Sequence, residues 1–327
     1  MTGIGSLPFT STATAIQAVA EFSPEIPFWP QLPQLSLEEE AIGQGLGVLR
    51  GLITPRHYGY GYSVKDGRID SVLERLHRSD GELMAANASG FGALEEGFAR
   101  GFFPSATAVK GQIEGPVTLA TCLFYKDRPF LSDSALFAAI AFHVSQMICW
   151  QVDRLKATGL PVLLFVDEPA LCLETSSGVS EEKRLNALAA TLDDARAGGA
   201  VAGLHCCAAR PFTRMCRAKP DILSFDAHEG LEAFFADRDA LAFARSGGTV
   251  AYGMIPTWNR LNPLDPVQLF TRWLTAASMA GDPQELAQQA VITATCGLGL
   301  VETSSVGESF NAARGVGRLI RRLAQSW

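Results

Sequence analysis

The sequence predicts an α/β protein, organised as a single (β/α)8 TIM barrel over residues 1–327. Three observations carry this. Apolar runs of strand length alternate with segments of helical spacing along the chain, about eight times, the number such a barrel requires. Several of these runs, such as Leu160 to Val166, are continuously apolar, as expected of strands buried on both faces. The polar residues that stand out fall at the C-terminal ends of the runs, where a barrel builds its site from loops. A doubly wound open sheet is the competing architecture. It would gather ligands at one switch point, whereas here they come from strands near residues 5, 106, 165, 205, 225 and 295.

Taken in order, Thr2 to Leu7 reads as a short buried strand ending at Ser6-Leu7-Pro8, with a helix beginning near Ser11 or Thr12. Ile26 to Leu32 is aromatic and apolar, but its prolines predict an irregular strand. Ser36 followed by Glu38-Glu39-Glu40 has the form of a helix start, with a capping hydroxyl and acids in the first turn. Between Arg50 and Arg78 no regular element is legible. Tyr58-Gly59-Tyr60-Gly61-Tyr62 there is either a loop over the site or an aromatic surface turn. Helical spacing returns over Gly81 to Arg100 and again over Ser132 to Ala157, with a strand over Ala106 to Ile113 between them. Further strands are expected at Leu160 to Val166, Ala200 to Leu204, Ile222 to Phe225, Thr249 to Ile255 and Val291 to Thr295, with a helix over Glu181 to Ala197.

Composition narrows the function. Apolar residues make up 47% and charged residues 19%, which favours a compact core over disorder. A net charge of −7 without a long basic run leaves no footprint for nucleic acid or an anionic membrane, so a small molecule is the expected partner. Seven cysteines at low density, with no signal-peptide pattern, suit a reducing cytoplasm in which thiols are free for metal or catalysis. The stretch from Ser134 to Trp150 is strongly apolar, but His143 and Gln146 interrupt it. It reads as a buried helix that falls short of a membrane span.

The stretch that carries chemistry is Gly203 to Ala208, Gly-Leu-His-Cys-Cys-Ala, together with the distant Thr295-Cys296-Gly297. Successive side chains on a strand point to opposite faces, so His205 and Cys207 share one face and Cys206 points away. Imidazole and thiolate are ligands that zinc prefers, and a catalytic zinc keeps one position open. Packing of small apolar cysteines is the competing account, and spacing alone does not separate the two.

Five segments in order resemble the C-terminal catalytic domain of cobalamin-independent methionine synthase, within the uroporphyrinogen decarboxylase/methionine synthase superfamily. They are Ile4-Gly5-Ser6-Leu7-Pro8, Lys110-Gly111 with Gly115-Pro116-Val117-Thr118, Asp167-Glu168-Pro169-Ala170-Leu171, His205-Cys206-Cys207 and Cys296-Gly297-Leu298. The resemblance implies a zinc-dependent thiol methyltransferase on a (β/α)8 barrel. It implies His205, Cys207 and Cys296 as zinc ligands, with Asp226 at the position of a further glutamate ligand. It also implies Ser6 and Asp167 as holders of the carboxylate and ammonium of homocysteine, with Glu168 bracing its loop. Zinc acts on the substrate thiol itself, so no separate protein nucleophile is expected.

This chain departs from that pattern on the donor side. It has no room for the family's second, N-terminal barrel. The family's Gly-Glu-Pro is here Pro30-Gln31-Leu32-Pro33, leaving Gln31 or Glu114 to substitute for a substrate-binding glutamate. Ala251 to Pro256 offers no equivalent of the histidine that assists folate release. The expectation is therefore methyl transfer to homocysteine, giving methionine, from a methylated corrinoid protein rather than folate. A methylcobamide:coenzyme M type methyltransferase is the first alternative. A metal-free uroporphyrinogen decarboxylase-like enzyme, or a non-catalytic corrinoid or metal-binding protein, is the second.

Overall fold

A computed structural model describes residues 1–173, 178–207, 211–258 and 264–326. Among these, the strands are β1 (Ile53–Pro55), β2 (Tyr62–Val64), β3 (Val109–Glu114), β4 (Leu123–Tyr125), β5 (Arg128–Pro129), β6 (Val162–Asp167), β7 (Val201–Cys206), β8 (Ile222–Phe225), β9 (Thr249–Ile255) and β10 (Ala290–Ala294). Six of them form one parallel sheet in the order β10-β9-β8-β7-β6-β3, each the neighbour of the next main-sheet strand in sequence, with helices in every crossover. This is the wound βα pattern that the apolar runs predict.

The expected ring of eight is not a closed ladder among the described residues. Its first two members join by isolated parallel bridges, Ser6 with Gln31 and Phe28 with Lys110. Pro27 and Pro30 lack the N–H groups that a longer ladder needs there. On the opposite side, the Leu298 N–H donates to the Ser6 carbonyl at 2.8 Å, tying the chain beyond β10 to the N-terminal segment.

The sheet buries both faces, and the period of two decides which residue goes where. Leu164, Val166, Leu204, Leu223, Phe225, Val250 and Tyr252 join the main core under the helices, where Phe225 stacks on Phe234 at 4.8 Å. The alternate positions Phe165, Ile222 and Ala251 form a separate small apolar cluster with Leu163 and Val291.

Several expectations change. Ser36 makes no capping bond, and the helix expected after it is two short pieces, a 3-10 turn Leu37–Glu39 and the helix Ala41–Gly45. The buried Glu39 instead accepts the Ser89 N–H at 2.9 Å. The helix expected from Gly81 begins only at Ser89. Gly81 has φ +78°, and its Cα lies against the Gln146 backbone, so the chain turns there rather than coiling. A helix, Ile69–His77, lies in the stretch that appeared irregular. A second sheet, β1-β2-β4-β5, is built from strands of two or three residues, too short for alternation to show. The Tyr58–Tyr62 stretch divides: Tyr58 and Tyr60 are exposed, while Tyr62 opens β2.

The helix over Ser134–Lys156 is longer than its apolar core suggests and does reach the length and composition of a membrane span, with half of its most apolar window buried inside the protein. It packs on β3 and β6 and against Ile69–His77, Pro116–Cys122 and Glu181–Ala197, which accounts for its apolar face. His143 lies in that buried face. Its Nε2 is 3.0 Å from the Gly45 carbonyl, which can only accept, so Nε2 carries the proton and Nδ1 accepts from Ser79 Oγ at 2.7 Å.

This neutral tautomer uses both ring nitrogens, and burial lowers the pKa of His143 to about 4. Between that value and the ordinary 6.5 the unfolded chain binds a proton that the folded one does not, so stability falls as pH drops through this window. Wild type should therefore lose about 3 kcal/mol more between pH 7 and pH 4 than His143→Gln, as measured by urea unfolding at each pH.

Candidate metal centre

The centre begins with alternation on β7. His205 faces the inside of the sheet's curve, Cys206 is fully buried in the main core, and Cys207 follows the strand on the His205 side. Cys296 stands two residues beyond β10. The ligand atoms of His205, Cys207 and Cys296 all lie within 4.8 Å of one another. Ala208, the last residue of the motif, lies outside the described residues.

Each donor is presented by a specific contact. Ser224 is the ladder partner of His205, and its Oγ is 2.9 Å from Nδ1, leaving Nε2 buried without a hydrogen-bond partner. The Cys207 thiol donates to the Cys296 sulfur. That bond, with a further contribution from His205, outweighs desolvation and draws Cys296 down to about 4, while Cys207 is pushed up. An imidazole nitrogen and two cysteine sulfurs converging within 4.8 Å of one another fit zinc, because all three atoms are of its preferred types and three protein ligands leave a position open.

Asp226 stands outside this group. It caps the helix Ala227–Ala236, accepting the Glu229 N–H at 3.0 Å, and burial raises its pKa despite that bond.

Beside the cluster the ladder register aligns acids. Glu114 pairs with Asp167 across β3 and β6, and Asp167 pairs with His205 across β6 and β7. Both carboxylates are buried, and Glu114 Oε2 and Asp167 Oδ1 accept no hydrogen bond. Desolvation raises Asp167 to about 6 against the pull of His205 and Lys110; desolvation and then the neighbouring Asp167 push Glu114 well above the ordinary range. Each carboxyl thus keeps one buried oxygen without a hydrogen bond, and Asp167 feels the attraction of Lys110.

Glu168 does brace its loop, through the start of the helix Pro116–Cys122. Its carboxylate accepts the Val117 N–H at 2.8 Å, the Thr118 N–H at 2.9 Å and the Thr118 hydroxyl at 2.6 Å. Burial raises it to about 7 despite these bonds. Gly115 is required because a Cβ there would stand 2.2 Å from Glu168 Oε1. The loops carrying Glu114 and Asp167 are thus locked to each other.

Ser6 reaches the same region. A Cβ on Gly297 would meet Ser6 Oγ at 1.9 Å, so glycine beside Cys296 is what allows the serine to approach. Gln31 pairs with Ser6 but donates its side-chain amide inward to Gln44 at 2.7 Å.

Two residues escaped the sequence reading. Ser224 orients His205, and a lone serine in an apolar strand carries no signal. Lys110 is buried, with Nζ donating to Gln112 Oε1 at 2.9 Å and to the Ile4 carbonyl and lying 4.8 Å from the Phe165 ring centre. Burial lowers its pKa to about 8, against the pull of Asp167. The alternation of Lys110, Gln112 and Glu114 along β3 was the available signal.

No protein-family model matches the sequence, and no curated protein sequence does. Among solved structures, a methyltransferase from Methanosarcina mazei is similar at 15% identity with a TM-score of 0.52, covering 96% of this chain and 92% of that one. The likeness is one of fold. A candidate vitamin-B12-independent methionine synthase from Listeria monocytogenes aligns at 15% identity with a TM-score of 0.45, over 66% of this chain and 64% of that chain's length.

Replacing Glu168 by Gln puts an amide donor against one or more of three donors. Urea unfolding of Glu168→Gln should show a loss of about 2 kcal/mol relative to wild type.

Proposed function

We propose that residues 1–327 form one zinc-dependent catalytic unit that moves a methyl group onto a thiol, with homocysteine as acceptor and a methylated corrinoid protein as donor. The observation that carries this reading is the convergence of His205, Cys207 and Cys296 beside two buried carboxyls, each with one oxygen that accepts no hydrogen bond. The fold shared with a methyltransferase supports it.

Zinc held by His205, Cys207 and Cys296 would supply Lewis acidity that favours the thiolate form of the acceptor, which when free is mostly protonated at neutral pH. The protein residues do the remaining work. Ser224 fixes the His205 ring, so that Nε2 faces the centre. Asp167 and Glu114 hold the ammonium of the acceptor, and its positive charge restores both to the ionised state. Ser6 donates a hydrogen bond to the acceptor carboxylate. With its amino-acid end held in this way, the acceptor would present its sulfur in line with the donor's methyl carbon; the sulfur's electron pair forms the new carbon–sulfur bond, and the pair of the broken methyl–donor bond stays with the donor. Asp226 keeps its helix-capping bond to the Glu229 N–H.

The acid pair favours homocysteine over coenzyme M. A sulfonate in the same place would face two carboxyls, and Lys110, the buried lysine described beside them, is already bonded to Gln112 and Ile4. The corrinoid donor is favoured because Gln31, at the position of the missing glutamate, is committed to Gln44.

Zinc analysis should find about one ion per wild-type chain, loss in Cys207→Ser and Cys296→Ser, and retention in Cys206→Ser. Stoichiometric zinc in Cys207→Ser with loss in Cys206→Ser would overturn the ligand set. With zinc-loaded protein and homocysteine, methionine should form from methylcobalamin and not from methyltetrahydrofolate. Asp167→Asn should raise KM for homocysteine roughly tenfold or more without lowering zinc content and leave any transfer to coenzyme M unchanged. An unaltered KM for homocysteine sinks the ammonium assignment.

A further inference from the structure

A slot of about 100 Å³ opens between the helix Ser305–Gln325 and the segment from Phe22 to Glu25. Met1 and Glu25, which also line it, precede the two wall segments that carry Ser6 and Gln31, so the slot lies at the end of the sheet opposite the metal centre. Arg314, Arg318 and Arg321 line it from one face of the helix, spaced by four and three residues. Gly317 leaves the helix backbone bare beside Arg318, and a Cβ there would have only Ile292 as a neighbour, at 4.0 Å.

Two of the guanidiniums reach across the slot to its other wall. Arg314 Nη2 donates to the carbonyls of Glu21 and Phe22 at 3.0 and 3.2 Å, and Arg321 Nη2 lies 3.4 Å from Glu25 Oε2. Arg318, between them on the helix, is exposed and makes no hydrogen bond or ion pair among the described residues. The Met1 amino group senses the same side chains: desolvation lowers its pKa, Glu25 pulls it up, and Arg321 and Arg314 push it down. Helix polarity does not account for this arrangement. It favours cations in the last turn, which here holds Arg322, whereas the three lining arginines precede that turn. Like charges three and four residues apart destabilise a helix instead. With the Met1 amino group left aside, three guanidiniums against the one carboxylate of Glu25 leave two positive charges at the slot.

We infer that this slot is a binding site for a phosphate group, free or at the end of a small phosphomonoester. The dianion matches the two uncompensated charges, and the guanidinium fork matches its oxygens. A guanidinium has five N–H donors, so the contacts already made by Arg314 and Arg321 leave others for a ligand. The volume is well below the roughly 300 Å³ of the smallest drug-sized pockets and suits a single compact group. The inference is independent of the methyl transfer proposed above.

Calorimetric titration of the full chain with inorganic phosphate, glycerol 3-phosphate and acetate, at fixed ionic strength, tests this. Wild type should bind phosphate saturably and about tenfold or more tightly than acetate. Arg318→Gln, at an exposed position, should weaken phosphate about tenfold. Gly317→Glu sets a carboxylate in the slot from a position with room for a side chain, and should abolish binding. Glu25→Gln removes the competing charge and should tighten it. Tighter binding of phosphate than of glycerol 3-phosphate identifies the free ion as the ligand, and the reverse order identifies an ester. No saturable phosphate binding to wild type, equal affinity for acetate, or undiminished phosphate binding to Arg318→Gln would each overturn the assignment.

Discussion

Register along the parallel ladder is the constraint on which the centre depends. Glu114, Asp167, His205 and Ser224 sit on four successive strands and meet because each is paired with the next: Glu114 with Asp167, Asp167 with His205, His205 with Ser224. A slip of one residue on any strand would send its polar group into the main core and an apolar one into the site. The main core resists this, since Val166, Leu204 and Phe225 occupy the intervening positions and are already packed under the helices. The chemistry and the core are thus two faces of the same alternation.

Loops then convert register into geometry. Glu168 bonds the start of the helix Pro116–Cys122, the Gly115 N–H donates to the Asp167 carbonyl at 2.8 Å, and the Glu168 N–H donates to the His205 carbonyl at 2.7 Å. Three strand ends are joined by these bonds. At the seam between the two ends of the chain, Gly297 admits Ser6 to within reach of Cys296, so glycine and serine act as a matched pair. Lys110 places a buried cation under this rim of acids, and its bond to the Ile4 carbonyl holds the N-terminal segment to β3.

Much of the fold was legible because its strands are buried on both faces and its helices carry clear caps. Ile222–Phe225, Thr249–Ile255 and Glu181–Ala197 fall where the sequence places them. The first two wall segments and the small sheet were poorly legible for a physical reason. Prolines, glycines and strands of two or three residues make bonds that depend on neighbours rather than on local pattern. Glu39 illustrates the same limit: its sequence context is that of a solvated helix start, yet it is buried against Ser89.

The sequence by itself determined the alternating α/β order and the pairing of His205 with Cys207 away from Cys206, because the period of a strand is a local property of the backbone. Only the tertiary structure decided how close Cys296 comes to that pair, that Ser224 orients the imidazole, and that Asp226 caps a helix outside the three-residue group. It also decided that Glu114 and Asp167 each keep one buried oxygen without a hydrogen bond. Those outcomes depend on which distant strands lie side by side and on what water is excluded between them. Spacing along one chain does not encode either.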